Sequence, residues 1–274
     1  MIRNWLGLIA LLWPSITLAG VSTSGTFVST SGVACSPVCA TQDFSSDPFD
    51  GSGLPGPGWS VVTAGDTERD CHWFWSLDAM RMLKTTGGAC SNAVNGFVYT
   101  RFNGQISQDG CAAFQINRND NGDWGFGLVA RDPSPPFTSS NTTWPTAATI
   151  ICQNATCGEL YLHAQNEFVV QECNTMPAFS AGDWFGACVS GTTVNVFHIA
   201  GPSDPGVPAT TEGGGSWGTP DCTFASFCQT GGALEMPGCS TGTKWGVVAY
   251  GPSGIPEASV FEFDDFRVSS CQGL

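Results

Sequence analysis

The stretch 260–268, Val-Phe-Glu-Phe-Asp-Asp-Phe-Arg-Val, decides the fold that the sequence predicts. Side chains alternate between the two faces of a β-strand, so Phe261 and Phe263 share one face and the acidic residues that follow each of them share the other. The next apolar residues, Phe266 and Val268, are shifted by one position. A β-bulge produces such a phase change inside a strand. We therefore predict a bulged closing strand whose aromatic side chains all point inward.

The amino-acid composition of the whole chain favours an all-β protein. The 274 residues include 35 Gly and 17 Pro and few charged residues, which indicates many turns and little helix. The formal net charge is −14 with 9 Lys and Arg in total, so a basic surface able to hold a nucleic-acid backbone is not expected. No internal repeat is visible, which disfavours a propeller or a solenoid.

The first residues predict export from the cytoplasm. Arg3 precedes a short apolar run that ends in small residues at Ala19, which is the pattern of a secretory signal peptide. The run is short for a membrane span, and no later stretch is apolar enough to cross a bilayer. We expect a signal peptide over 1–19 and a secreted, extracellular or periplasmic product without a membrane span.

The cysteines agree with an oxidising compartment. All 13 follow the predicted signal peptide, no Cys-x-x-Cys pair occurs, and 3 His are present, so disulfides are favoured over a zinc site. Connectivity does not follow from sequence. Close pairs that would staple loops are Cys35 with Cys39, Cys152 with Cys157, and Cys222 with Cys228. The odd count leaves at least one thiol free or in an intermolecular disulfide.

Several segments predict paired strands between turn signals. Residues 150–152 with 159–165, and 184–189 with 193–199, are interpreted as hairpins. Residues 119–123, Asn-Asp-Asn-Gly-Asp, lie between two alternating runs and predict a third hairpin. The same five residues faintly resemble a calcium loop, but the other ligands of such a loop are absent.

These segments together predict one antiparallel, two-sheet β-sandwich. No apolar pattern of helical spacing persists for three turns, and strands recur every ten or so residues. We expect a Ser/Thr-rich lead-in over 20–40 and a single jelly-roll domain with disulfide-stapled loops over 41–274.

The chain resembles the concanavalin A-like lectin/glucanase superfamily, which includes laminin-G-like jelly rolls. The matching segments are 47–51 (Asp-Pro-Phe-Asp-Gly) with Trp59, 127–131 (Gly-Leu-Val-Ala-Arg) and 263–268 (Phe-Asp-Asp-Phe-Arg-Val). The resemblance implies that the first and last strands lie side by side. It also implies glycan binding on the concave sheet or on rim loops. Fold by itself does not fix function.

The favoured function is a noncatalytic carbohydrate-binding or adhesion domain. Sugars stack their apolar faces on aromatic rings and bond their hydroxyls to planar polar groups. The candidate glycan-binding residues lie opposite the apolar positions of their strands or in a loop: Tyr99, Arg101, Gln115, Arg131, Tyr161, His163, Gln165 and Trp144. Further rim aromatics are Trp73, Trp75 and Trp217. Against this, most Trp in a sandwich are core residues.

Two alternatives are a polysaccharide hydrolase or lyase, and a structural surface or assembly protein. Laminarinase-type members of the superfamily carry Glu-x-Asp-x-Glu on one strand, and here Glu262-Phe263-Asp264 matches only its opening. A lyase would use Tyr161 and His163 beside Arg131. No cofactor and no catalytic residue is predicted. Asp264 and Asp265 are interpreted as a bulge with local hydrogen bonds or as ligands of a cation such as calcium.

Overall fold

The structure is a computed structural model. It describes residues 34–35, 40–42, 59–63, 71–76, 79–84, 97–102, 108–132, 148–152, 154–157, 160–163, 173, 175–225, 242–251, 256 and 258–272. The predicted signal peptide at 1–19 lies outside these residues, as does most of the predicted lead-in.

The described chain forms two antiparallel sheets. The strands are β1 (Ala34–Cys35), β2 (Ala40–Gln42), β3 (Trp59–Thr63), β4 (Cys71–Ser76), β5 (Ala79–Lys84), β6 (Phe97–Phe102), β7 (Gly110–Asn119), β8 (Gly125–Asp132), β9 (Ala148–Cys152), β10 (Leu160–His163), β11 (Trp184–Ser190), β12 (Thr193–Ile199), β13 (Cys222–Phe224), β14 (Lys244–Tyr250) and β15 (Val260–Gln272). Two short 3-10 turns, Asp120–Gly122 and Gly215–Trp217, accompany them. Among the described residues, no helix is long and apolar enough to cross a membrane.

In the described part of the chain, one sheet has nine strands and the other six. The larger sheet runs β13-β12-β11-β7-β15-β5-β4, and β1 and β2 also pair with β15. The smaller sheet runs β10-β9-β8-β14-β6-β3. The predicted class, an all-β antiparallel sandwich, is confirmed. The predicted hairpins β9–β10 and β11–β12 are confirmed as well.

The core lies between the sheets and is rich in phenylalanine. Phe126 of the smaller sheet stacks on Phe261 of the larger one with ring centroids 5.6 Å apart, and Phe114 meets Phe263 edge-on at 5.5 Å. The first pair joins the two sheets, whereas the second lies within the larger sheet, and both add specific geometry to the burial of apolar area. Phe266 and Val268 belong to the same buried cluster, so the predicted inward side of the closing strand is confirmed.

The predicted bulge is present in β15. Asp264 is paired with Gln115 and Arg267 with Ala113, so β15 gains one residue on β7 between these pairs. Asp265 takes up the extra residue at φ 50°, in the left-handed region. Its N–H donates to Asp264 Oδ1 at 2.7 Å. This residue resets the alternation so that Phe266 points inward again.

The closing strand pairs with the first strand of the predicted domain. Val268 is paired with Ala40 and Phe266 with Gln42 in β2. This neighbourhood of the first and last strands agrees with the concanavalin A-like resemblance. β1, which lies in the predicted lead-in, also adds to β15.

The hairpin predicted at 119–123 is wrong. β7 pairs with β11 and β15, whereas β8 pairs with β9 and β14, so the turn joins the two sheets. Asn119 Nδ2 donates to Trp124 O at 3.0 Å, and Trp124 N donates to Asn119 Oδ1 at 3.1 Å. The Asn119 side chain thereby replaces the strand partner that a hairpin would supply, and the chain crosses to the other layer.

Three disulfides are described. Cys152–Cys157 confirms one predicted staple. The predicted pairing of Cys222 with Cys228 is wrong, because Cys222 is bonded to Cys173. Cys111–Cys188 joins the directly paired strands β7 and β11. The partner of Cys222 is 49 residues away, and the sequence does not show which loops meet in space. Disulfides are consistent with the oxidising compartment that the sequence predicts.

Candidate functional site

The strand register brings four of the eight candidate residues onto one face of the six-stranded sheet. Core positions of this sheet include Phe126, Leu128, Val247 and Ala249, and the residues between them define the opposite side, here called the outer face. One row across the outer face is Val62, Tyr99, Val248, Gly127, Ile151, Tyr161. The next row is Ser60, Arg101, Gly246, Val129, Thr149, His163.

The two rows place aromatic and polar positions toward both ends and small or aliphatic ones between them. Four strand-to-strand steps separate Tyr99 from Tyr161, which is about 19 Å at the usual strand spacing. Arg101 and His163 are separated by the same four steps. The backbone fixes these positions, because neighbouring strands keep paired residues on the same face.

The centre of the outer face is closed to solvent. Val129, Val248 and Ile151 are 0%, 1% and 2% exposed although they point away from the core. At Gly127, a Cβ atom would lie 1.7 Å from the carbonyl oxygen of Ile150, so the close approach of β9 requires glycine there.

Arg131 is held inside the protein. Its backbone has φ 56°, and the side chain is 4% exposed. The Nε–H donates to Gln108 O at 2.9 Å, and a second guanidinium nitrogen forms an ion pair with Asp109 Oδ1 at 2.5 Å. The same Asp109 oxygen accepts the N–H of Gly191 at 3.1 Å, in the β11–β12 turn. Arg131 thus ties two loops to the end of β8, and the prediction of an outward-facing Arg131 is wrong.

Gln115 is separated from the other candidates because it lies in β7 of the nine-stranded sheet. Its side-chain amide nitrogen, Nε2, donates to Gly182 O at 3.1 Å and to Pro202 O at 3.3 Å. These contacts fasten two loops to the sheet. The single concave face predicted to contain Gln115 together with Tyr99 and Tyr161 is therefore wrong.

The remaining candidates divide by position. Gln165 and Trp144 lie outside the described residues. Trp73 and Trp75 lie in β4, of which the backbone is described. Trp217 was predicted as a rim aromatic, but it is 4% exposed and packs in a cluster with Trp184 and Phe197. This cluster covers the outward side of the nine-stranded sheet with the 207–217 loop, and a Cβ at Gly186 would meet the Trp217 ring at 2.6 Å.

The acidic residues of the closing strand are engaged within the protein. Glu262 forms an ion pair with Arg81 of β5. Asp264 accepts the N–H of Asp265, whose carboxylate pairs with Arg267 at 3.1 Å. Within the described residues, no group of three or more His, Cys, Asp or Glu could hold a metal ion. The local hydrogen bonds predicted as one alternative for Asp264 and Asp265 are present.

A buried Asp–His contact was missed by the sequence analysis. Asp183 accepts the N–H groups of Ser180 and Gly201, each at 2.8 Å, and its Oδ2 lies 3.1 Å from His198 Nε2. Burial disfavours the charge of Asp183 most strongly, but the hydrogen bonds from Gly201, His198 and Ser180 together outweigh it, so the pKa of Asp183 lies below its usual range. Asp183 directly precedes β11 and belongs to no recognisable sequence motif, so no signal in the sequence pointed to it.

The contacts of Asp183 and His198 connect several loop segments. The His198 N–H donates to Asp221 Oδ2 at 2.7 Å, and Phe179 meets the imidazole edge-on at 4.5 Å. The contacts join residues 179–183, 198–201 and 221 around one end of β11 and β12. The contacts described for the pair are with backbone N–H groups, the Asp221 carboxylate and the Phe179 ring, which is a structural role.

No protein-family model and no curated protein sequence matches the chain. Solved structures are similar in fold. Lectin II from Ulex europaeus is 8% identical, with 85% of this chain and 99% of the lectin covered at a TM-score of 0.48. SCLam, a non-specific endo-beta-1,3(4)-glucanase from family GH16, is 11% identical, with 88% and 96% covered at 0.48. The exoplasmic/lumenal domain of VIP36, bound to Ca2+ and Man3GlcNAc, is 9% identical, with 80% and 86% covered at 0.44.

Proposed function

We propose that the protein is a secreted, noncatalytic carbohydrate-binding domain that recognises a polysaccharide or a surface glycan. The observation that supports it best is the register of the six-stranded sheet. It assigns Tyr99 and Tyr161 to one row of the outer face and Arg101 and His163 to the next. These are the residue types that sugar recognition uses, because rings stack on sugar CH groups while planar donors bond to hydroxyls.

The ligand in this proposal is a polysaccharide or glycan that contacts the protein at the two ends of the face. The two pairs of positions are about 19 Å apart by strand count, which is longer than one sugar ring. Each end supplies one aromatic and one polar position, so each forms a subsite for a separate sugar unit. The closed centre, with Val129 and Val248, leaves the two ends as the contact regions.

The proposal is tested on a glycan array with the mature protein. We expect binding to one class of polysaccharide, and a loss of at least about tenfold in affinity when Tyr161→Ala and His163→Ala are combined, since each stacking or hydrogen-bonding contact contributes about 1 kcal/mol. Arg118→Ala is the matched control, because Arg118 lies on the other sheet and its side chain is 48% exposed. Unchanged binding in the double variant would reject the site.

A polysaccharide hydrolase is the alternative function, and the polysaccharide that the array identifies can be used to test it. Release of reducing sugar from the bound polysaccharide, abolished by Glu262→Gln, would replace the proposed function with catalysis. Glu262 has Arg81 as its partner. We therefore expect Glu262→Gln to lower stability and to leave glycan affinity unchanged in the folded protein.

A further inference from the structure

The register of β1 on β15 brings two cysteines opposite each other at the two ends of the described chain. Cys35 is paired with Cys271, and Ala34 with Gln272. Residues directly opposite in an antiparallel pair have Cα atoms about 4.5–5.5 Å apart. This separation falls within the range that a disulfide bridges, about 4.4–6.8 Å.

The same sheet already contains a disulfide built in this way. Cys111 and Cys188 are directly opposite on β7 and β11, and they are bonded with a Cα–Cα distance of 4.0 Å. Cys111 is in turn opposite Ser269 of β15. Ser269 and Cys271 are two residues apart on one strand, so both positions fall on the same face of the sheet.

We propose that Cys35 and Cys271 form a disulfide that joins the first described strand, β1, to the last, β15. In its formation two thiols lose two protons and two electrons and one S–S bond forms. The electrons pass to the disulfide of an export-compartment thiol–disulfide oxidoreductase, which leaves as a dithiol. The bond lies on the same face as Cys111–Cys188, one step further along β15.

Register also distinguishes Cys35 from its neighbour Cys39, the partner that sequence spacing suggests. Ala40 is paired with Val268 in the β2–β15 ladder. Val268 is three residues from Cys271 along β15, whereas Cys35 is opposite Cys271 itself. A disulfide between Cys35 and Cys39 would leave Cys271 without this partner.

A Cys35–Cys271 disulfide reduces the number of cysteines that can be left without an intramolecular partner. Eight cysteines are then paired: the six in the described disulfides together with Cys35 and Cys271. The thiol that is free or bonded between chains is one of the other five, which are Cys39, Cys71, Cys90, Cys228 and Cys239.

Peptide mapping of the exported protein tests the bond. Free thiols are alkylated under denaturing, non-reducing conditions before trypsin digestion. Cleavage after Arg267 releases 268–274, in which Cys271 is the one cysteine. Cleavage after Arg69 releases a peptide that carries Cys35 and Cys39. We expect these two peptides to be joined until reductant is added, with fragment ions that place the link at Cys35.

A Cys39→Ser variant separates the two cysteines of the larger peptide. The joined peptides should persist in full in this variant. Alkylated Cys271 in the exported wild-type protein would overturn the proposal, as would a link from Cys271 to any other peptide. Loss of the link in Cys39→Ser, or wild-type fragment ions that place it at Cys39, would overturn it as well. The wild-type map decides the matter even where the variant does not fold.

Discussion

Asp183 shows how one buried carboxylate can hold three loop segments in place. Its two oxygens accept hydrogen bonds from Ser180 and Gly201 and contact His198. Hydrogen bonds to a charged acceptor are about twice as strong as neutral ones. The ionised form is therefore the form that stabilises the native loops.

The pKa of Asp183 predicts an acid-dependent loss of stability. Its folded pKa is below the unfolded value of about 4, so the stabilisation is fully present above pH 4 and is lost as pH falls through the folded pKa. We expect Asp183→Asn to be less stable at pH 7 by about 2 kcal/mol and to lose less further stability on acidification. Urea unfolding at pH 7 and pH 3 measures both quantities.

Asp204→Asn is the control for this titration, because Asp204 is half exposed and pairs with Arg267 at the surface. Exposed pairs contribute little, so its pH profile should follow that of the wild type. Equal losses between pH 7 and pH 3 in the wild type and Asp183→Asn would show that Asp183 does not govern the transition.

Strand alternation predicts the face on which a residue lies where the backbone stays extended. It fails where the backbone departs from the extended conformation. Tyr99, Arg101, Tyr161 and His163 occupy the strand positions that alternation assigns to them. Arg131 does not, because its φ of 56° interrupts β8 and turns the side chain toward Asp109. The positive φ at Arg131 leaves no mark in the hydrophobic pattern, whereas the one at Asp265 coincides with a phase change.

At the scale of elements, substitutions at Asp265 test the left-handed backbone conformation of the bulge in β15. Asp265 has φ 50°, which glycine adopts freely and β-branched residues disfavour. We expect Asp265→Val to be less stable than Asp265→Gly by about 1–2 kcal/mol. Both variants lose the Arg267 ion pair, so the difference in denaturation midpoint reports the backbone alone. Equal stabilities would contradict a left-handed Asp265.

The turn at 119–123 marks the limit of element prediction. Its sequence suits a hairpin, and the flanking strands are correctly placed. Whether two successive strands pair or part depends on partners that are distant in sequence. Here Asp120 accepts the N–H of Val260 at 2.9 Å, 140 residues away, and Asn119 satisfies Trp124. The contact with Val260 is distant in sequence, so it cannot be read from the residues of the turn, and β8 lies in the other sheet.

For the whole molecule, the described disulfides differ in the length of chain that they close. Cys173–Cys222 spans 49 residues and Cys152–Cys157 spans 5. Loop-closure entropy predicts that replacing the first pair by serine costs about 4 kcal/mol and the second about 2 kcal/mol. Unfolding temperatures of the two double variants measure the order. A greater loss for Cys152→Ser/Cys157→Ser would show that chain entropy does not control it.

At this scale the sequence predicts the class of fold better than its connections. Turn residues and two-residue periodicity indicate a sandwich, and the phase change at Asp264 and Asp265 predicts the bulge. Disulfide partners such as Cys173 and Cys222 depend on which loops meet in space. The candidate site falls between these cases, because strand faces follow from periodicity while the grouping of strands into sheets does not.

The position of β15 within its sheet has a consequence for biogenesis. It lies between β7 and β5, so a strand translated after the other fourteen described strands occupies an interior place in the larger sheet. Its partners are more than a hundred residues away, and such non-local pairing is slow. Until β15 has been synthesised, the position between β7 and β5 has no strand to fill it. A ribosome or translocon that stalls before residue 260 would leave that position unfilled and exposed to chaperones and to strands of other chains.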